Sequence, residues 1–199
     1  MTDLSETGLL PSKSSQTFKV FEENYADILT RPMPSSGAFM KKAWSEYMQG
    51  SSGLNGSVFE SLVSCLLYRN KITPLFVQAE ITFVPNIVFD LVLYSEECGP
   101  IVLSLKTSLR ERYKQADLEG MMLRNVHRNS LTYLITASEK DANDANAKIK
   151  AGSILGINKV YYAFGSPMDE LINTLTGFNY KIPGKIDVMK AKRIVGEVE

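Results

Sequence analysis

Lys106 closes the strand-like run IVLSLK, Glu119 follows it after twelve intervening residues, and Asp90 stands inside the preceding run IVFDLVLY. Alternate residues of a strand share a face, so Val88, Asp90 and Val92 should project together, as should Val102, Ser104 and Lys106. Two charged groups on adjacent buried strands are costly unless they meet each other or a metal ion. The following helix adds a third. Ala116, Glu119, Leu123 and Val126 recur at 3,4,3 spacing, which sets Glu119 inside an apolar stripe. Upstream, Glu60 lies at the edge of an apolar helix face beside Val63 and Leu67. Carboxylates gathered around a lysine suit phosphodiester hydrolysis. Carboxylate oxygens hold Mg²⁺, which keeps several waters, polarises the phosphate and lowers the pKa of bound water. The lysine orients or deprotonates the attacking water and offsets developing negative charge. A buried Asp–Lys pair that serves stability alone is the other reading of Asp90 and Lys106.

Four residues beyond Lys106 comes Arg110-Glu111-Arg112. Arginine can donate two parallel hydrogen bonds to guanine O6 and N7, and a carboxylate can accept from cytosine N4. The tripeptide is therefore a donor–acceptor–donor set suited to adjacent G·C pairs. Its bland counterpart is an exposed, salt-bridged helix start. Lys106, Arg110, Arg112, Lys114, Arg124 and Arg128 make this stretch locally basic. The chain as a whole has 22 basic and 22 acidic side chains, so no overall field draws it to nucleic acid.

These groups need a scaffold. At 199 residues and 44% hydrophobic, the chain is large enough for one domain with a substantial core. Residues 1–50 read as an N-terminal helical arm that could contact DNA or dimerise, and residues 51–199 as the core that carries the chemistry. Residues 1–16 look poorly ordered. Helices are expected over 17–30 and 38–49, then a loop GSSGLNG, then a helix over 58–70 capped by Ser57. Strands are expected near 80–84, 87–94 and 101–107, the last two joined by the turn EECGP. A helix over 115–128, a strand over 131–137, a helix over 140–150, a strand over 159–164 and a helix over 168–175 complete the pattern. That order predicts an α/β fold, a mixed central sheet with helices on both faces. The last two strands are near-continuously apolar or aromatic, as strands covered on both sides should be.

Other chemistries lack their residues. His127 is the single histidine, which argues against His-rich zinc sites and HExxH chemistry. It lies near a helix end, where terminal carbonyls can occupy it. No G-x-S-x-G elbow or phosphate-loop glycine pattern occurs; AGSILGINK has glycines at the wrong spacing. Tyr161 and Tyr162 read as sheet packing. Trp44 reads as core, with stacking on an extruded base as its functional alternative. Cys65 and Cys98 have neither disulfide-framework nor metal-ligand spacing. No apolar run reaches membrane-spanning length and no leader-like h-region opens the chain. A cytoplasmic protein without membrane attachment is expected.

Asp90 followed by Ser104-Leu105-Lys106 resembles the PD-(D/E)xK nuclease motif in altered form. Phe89 replaces the proline before the aspartate, and Ser104 occupies the position of the second acid. One branch, the CCGG family of type II restriction endonucleases, has a serine-like residue there and takes its second acid from the following helix, where Glu119 stands. Members of that branch also carry an R-(D/E)-R element where this chain has Arg110-Glu111-Arg112, and Glu60 is similar to the helix glutamate that precedes the motif. The resemblance covers roughly residues 55–137. It implies a restriction-endonuclease-like fold, with Asp90 and Glu119 as Mg²⁺ ligands, Lys106 as the water-orienting group, Glu60 as an outer acid and Ser104 as support. It further implies that Arg110, Glu111 and Arg112, with Lys114 and Gln115, face the DNA. The expected activity is Mg²⁺-dependent cleavage of double-stranded DNA at a palindromic site with GG/CC steps by a homodimer. A structure-selective or repair nuclease of the same fold, and a non-catalytic DNA-binding α/β domain, are the rival readings.

Overall fold

In the computed structural model, residues 4, 7–48, 50–184 and 189–196 are described. Three helices come first: α1 (Gln16–Asn24), α2 (Ser36–Glu46) and α3 (Ser52–Arg69). An antiparallel meander follows, β1 (Leu75–Ile81), β2 (Phe89–Ser95) and β3 (Gly99–Lys106). The chain then alternates α4 (Arg112–Val126), β4 (Leu131–Thr136), α5 (Glu139–Lys150), β5 (Lys159–Tyr162) and α6 (Ser166–Leu175), and returns as β6 (Met189–Val195). The six strands form one sheet in the order β5-β4-β3-β2-β1-β6. β4 and β5 add in parallel to β3, and β6 pairs antiparallel with β1.

The alternation of β3 shows how the sheet is covered. Ile101, Leu103 and Leu105 enter a core shared with α1, α2, α3 and α6. Val102 faces the other way, with Leu123 of α4. Leu134 and Val160 pack there against Ala116 of α4 and Ala142 and Ala145 of α5. This is the expected mixed sheet with helices on both faces. Among the described residues, no helix is long and apolar enough to cross a membrane.

α4 is held by an unusually close contact. A Cβ on Gly156 would fall 1.9 Å from the Asp117 carbonyl oxygen, and one on Gly120 would fall 2.4 Å from that of Gly156. Asp117 accepts from the Leu155 and Gly156 N–H groups at 2.9 and 2.5 Å, while Arg124 donates to the Leu155 carbonyl at 2.8 Å. The glycines of AGSILGINK therefore let a loop lie directly on α4.

Several expectations change. Of the segment expected to be poorly ordered, residues 1–3, 5 and 6 lie outside the described residues, as does residue 49 of the second helix. Leu9 and Leu10 are buried in the main core, and Ser15 caps α1 by accepting from the Phe18 N–H. The glycine-rich segment expected as a loop is the first turns of α3, capped by Ser51 rather than Ser57. Ser57 instead accepts from Thr17 at 2.8 Å. The first strand is Leu75–Ile81, because Val84 N–H turns back onto the Ile81 carbonyl and ends the extended run. α4 starts at Arg112, three residues early. β6 was not anticipated at all.

Candidate active site

The site lies where the ladder between β2 and β3 stops. Their pairing runs from Ser95↔Gly99 to Leu91↔Leu103 and goes no further, although both strands continue. On the other side, β1 pairs with β2 at Val77↔Leu91 and Ala79↔Phe89 but not at Gln78 and Asp90 between them. Gln78 has φ 52, a conformation uncommon for a non-glycine residue. Facing reverses at this point: Leu91 and Leu93 belong to one core, whereas Phe89 and Val92 belong to the other. The expected Val88–Asp90–Val92 row does not form, since Val88 is exposed. Asp90 sits instead at a split in the sheet.

That split gives Asp90 its partners. Its Oδ2 accepts from the Leu105 N–H at 2.7 Å, from Lys106 Nζ at 2.9 Å and from Ser104 Oγ at 3.4 Å. The carboxylate thus takes the backbone donor that the interrupted ladder leaves open. Ser104 is buried. All three bonds fall on one oxygen, so Oδ1 has no donor among the described residues.

Asp90, Lys106, Glu60, Arg112 and Gln115 line one cavity of about 650 Å³, together with Gln78, Lys192, Arg193 and the start of α3. Glu60 reaches it from α3, accepting from Gln78 and, at 3.2 Å, from Arg193 of β6. Burial pushes the Glu60 carboxyl above the usual range, the Gln78 hydrogen bond pulls it down, the Asp90 charge raises it again, and Arg193 and Lys192 oppose that. Burial likewise lowers the Arg193 guanidinium, with Glu60 acting against it.

α4 brings the remaining acid. Gln115 donates to Glu119 Oε1 at 2.7 Å. Burial raises the Glu119 carboxyl, Gln115 and Lys106 lower it, and Asp90 raises it. Glu119 thus feels the charges of Lys106 and Asp90, but it is Gln115, and not Glu119 itself, that lines the cavity. It lies at the margin of the packed face, which is formed by Ala116, Gly120 and Leu123; Val126, expected on the stripe, is exposed. A helix of 3.6 residues per turn drifts off a strict 3,4,3 row, and packing selected the neighbouring row.

Of the Arg-Glu-Arg element, Arg112 faces the cavity and donates to Ser108 Oγ at 3.3 Å. Arg110 is exposed, with φ 42, in the turn before α4, and Glu111 pairs with Lys114 on the surface. Neither Arg110, Glu111 nor Lys114 lines the cavity. His127 lies at the far end of α4 with its backbone N–H on the Leu123 carbonyl, while its ring Nε2 is buried with no hydrogen-bond partner among the described residues. Trp44 packs on Phe59 at 5.4 Å and on Tyr47 at 5.6 Å, and both cysteines are free.

Gln78, Lys192 and Arg193 were missed. A lone polar residue inside LFVQAEI, and the alternation of Ala191, Arg193 and Val195 in AKRIV, were the signals that could have found them. As for a metal, no group of three or more His, Cys, Asp or Glu side chains gathers among the described residues. Asp90 Oδ1 and Glu119 Oε2 accept no hydrogen bond among the described residues, and hard carboxylate oxygens suit Mg²⁺, which is commonly bound through one or two carboxylates and several waters.

No family model matches the sequence, and no curated protein matches it. Among solved structures, the chain is similar to the restriction endonuclease PspGI in its complex with substrate DNA (14% identity, 81% of each chain covered, TM-score 0.55). It is also similar to the type IIP restriction endonuclease Kpn2I, at 16% identity, covering 81% of this chain and 69% of that one, with a TM-score of 0.52. The fold is therefore restriction-endonuclease-like.

Proposed function

We propose that this protein is a type II restriction endonuclease that cuts double-stranded DNA at a palindromic site containing GG/CC steps, with Mg²⁺ as cofactor and a homodimer as the acting unit. The single observation that carries the reading is the Asp90–Lys106 contact at a break in the sheet, opening on a cavity that also receives Glu60, Gln115 and Arg112. A buried pair that served stability alone would not need a cavity beside it. The likeness of the fold to PspGI and Kpn2I supports the same reading.

Asp90 and Glu119 would hold the ion, which supplies charge neutralisation at the phosphate and a more acidic bound water. Lys106 orients the attacking water and balances charge on the phosphoryl oxygens. Ser104 and the Leu105 N–H keep the Asp90 carboxylate in one orientation. Gln115 orients Glu119, and Glu60 sits behind the group as an outer acid. Arg110 and Glu111 from the β3–α4 turn, and Arg112, Lys114 and Gln115 from the first turn of α4, meet the DNA, and the CCGG branch of type II restriction endonucleases is the group this element resembles. Two free cysteines suit a reducing cytoplasm.

Digesting DNA of known sequence with the purified protein in Mg²⁺ and reading the fragment ends is the test. Ends at one recurring palindrome carrying GG/CC support the proposal. Cuts that follow structure rather than sequence point to a repair nuclease. Binding without any metal-dependent cleavage points to a DNA-binding domain.

A further inference from the structure

The cavity beside Asp90 is lined by Lys106, Arg112, Lys192 and Arg193 against Glu60 and Asp90. Lys106 is matched by Asp90 and Arg193 by Glu60. Among the described residues, the Arg112 side chain has only the Ser108 hydroxyl, and Lys192, exposed on β6, has neither an ion pair nor a hydrogen bond. The cavity therefore keeps uncompensated positive charge.

Another wall is the start of α3, with Ser52, Gly53, Gly56 and Ser57, beside Pro11 and Ser12 of the N-terminal segment. Glycine is among the least favourable helix residues, yet α3 has two within its first five positions. Nothing among the described residues requires them. Beyond its own helix backbone and chain neighbours, a Cβ at Gly53 or Gly56 would meet no atom of the described residues within 4 Å, and neither has the positive φ that favours glycine. Gly120 and Gly156 differ, since a Cβ there would strike backbone. Glycines that serve neither packing nor backbone conformation, on a wall facing unbalanced cations, suit a polyanion whose backbone must come close.

We propose that this bare face of α3, with Lys192, receives the sugar–phosphate backbone next to the phosphodiester being cut. The inference rests on the nuclease reading of the site and adds a DNA-backbone track formed by two elements outside the Asp90–Lys106 group. A phosphate contact carries no sequence information, so this wall should grip every duplex alike.

The experiment compares the full-length protein with Gly56→Ala and Lys192→Ala. Binding of two unrelated labelled duplexes of equal length is followed by anisotropy in EDTA over a range of salt, and melting is followed in parallel. Gly56→Ala should raise the Tm by about 2–4 °C, because alanine is the better helix former. The same variant should weaken both duplexes by about tenfold, as crowding of a backbone contact would. Lys192→Ala should leave the Tm unchanged, weaken both duplexes equally and reduce the salt slope by about one per chain. A Gly56→Ala protein that binds like wild type, or that melts earlier, overturns the proposal, as does an unchanged slope for Lys192→Ala. If wild type binds no duplex, this inference and the nuclease reading fall together. If wild type binds and cuts while both variants match it, only this inference falls.

Discussion

Lys106 Nζ lies 2.9 Å from Asp90 Oδ2 across the point where β2 and β3 cease to pair. Both side chains are about one-fifth exposed, so the pair is neither sealed in the core nor fully solvated. Removing either partner should stop the chemistry without unfolding the protein. Asp90→Ala should abolish cleavage, and Lys106→Ala should slow it by about 10²–10⁴-fold, the range for a positioned proton-transfer group. Single-turnover cleavage in Mg²⁺, with circular dichroism as a fold control, checks both. A folded variant cutting at the wild-type rate would falsify the site assignment.

Glu119 should behave as a member of the reacting group rather than as a helix-surface acid. Glu119→Gln keeps the shape but removes the charge that Lys106 and Asp90 both feel. Cleavage should be lost while duplex affinity in EDTA stays within about twofold, because no phosphate or base contact is removed. Retained activity in that variant would return Asp90 and Lys106 to a structural pair.

The raised carboxyl of Glu119 also sets a pH dependence. Burial is its first cause, so the folded protein binds this proton more readily than the unfolded chain does. Stability contributed by that proton is absent at pH well above the folded pKa. It appears as pH falls through that value and levels off below the ordinary carboxylate pKa. In EDTA, wild type should therefore gain melting temperature relative to Glu119→Gln as pH is lowered through this window. A difference that stays flat with pH would show that burial does not perturb the group.

Arg110 and Arg112 occupy different places, one in the exposed turn and one on the cavity. A bidentate base contact is worth about 1–3 kcal/mol of discrimination, and in a homodimer each substitution acts twice. Arg110→Ala should weaken binding to the cleaved sequence far more than to a scrambled duplex at one fixed salt concentration. Equal loss on both would make it a phosphate contact and remove the basis for GG/CC reading.

α4 is seated on the loop that carries Gly156. Gly156→Val drives side-chain atoms into the Asp117 carbonyl, and overpacking of this kind typically costs about 1–3 kcal/mol. Asp117→Ala leaves the exposed Leu155 N–H and the part-buried Gly156 N–H without their acceptor, at a cost of about 1–3 kcal/mol for the latter. Urea titration should show both losses. Cleavage should fall as well, since Gln115 and Glu119 ride on this helix. Unaltered stability in both variants would mean that the loop does not hold α4.

Periodicity and residue type were enough to place Asp90, Ser104 and Lys106 on neighbouring strands and Glu119 on the next helix, because those signals are local. Alternation over four or five residues defines a strand, and a hydrophobic stripe defines a helix. The same logic anticipated the mixed sheet, since strands covered on both sides read as continuous apolar runs. What the local signals could not carry was every feature set by pairing at a distance. The positive φ of Gln78 and the end of the β2–β3 ladder reverse the facing around Asp90, so strict alternation placed its neighbours wrongly. β6 finds its place only because β1 offers it an open edge more than a hundred residues earlier in the chain. Arg193 and Lys192 reach the cavity only through that pairing. Gly53 and Gly56 read as loop because glycine opposes helix formation locally; capping by Ser51 and packing of the following turns, including Val58 and Phe59, into the main core decided otherwise.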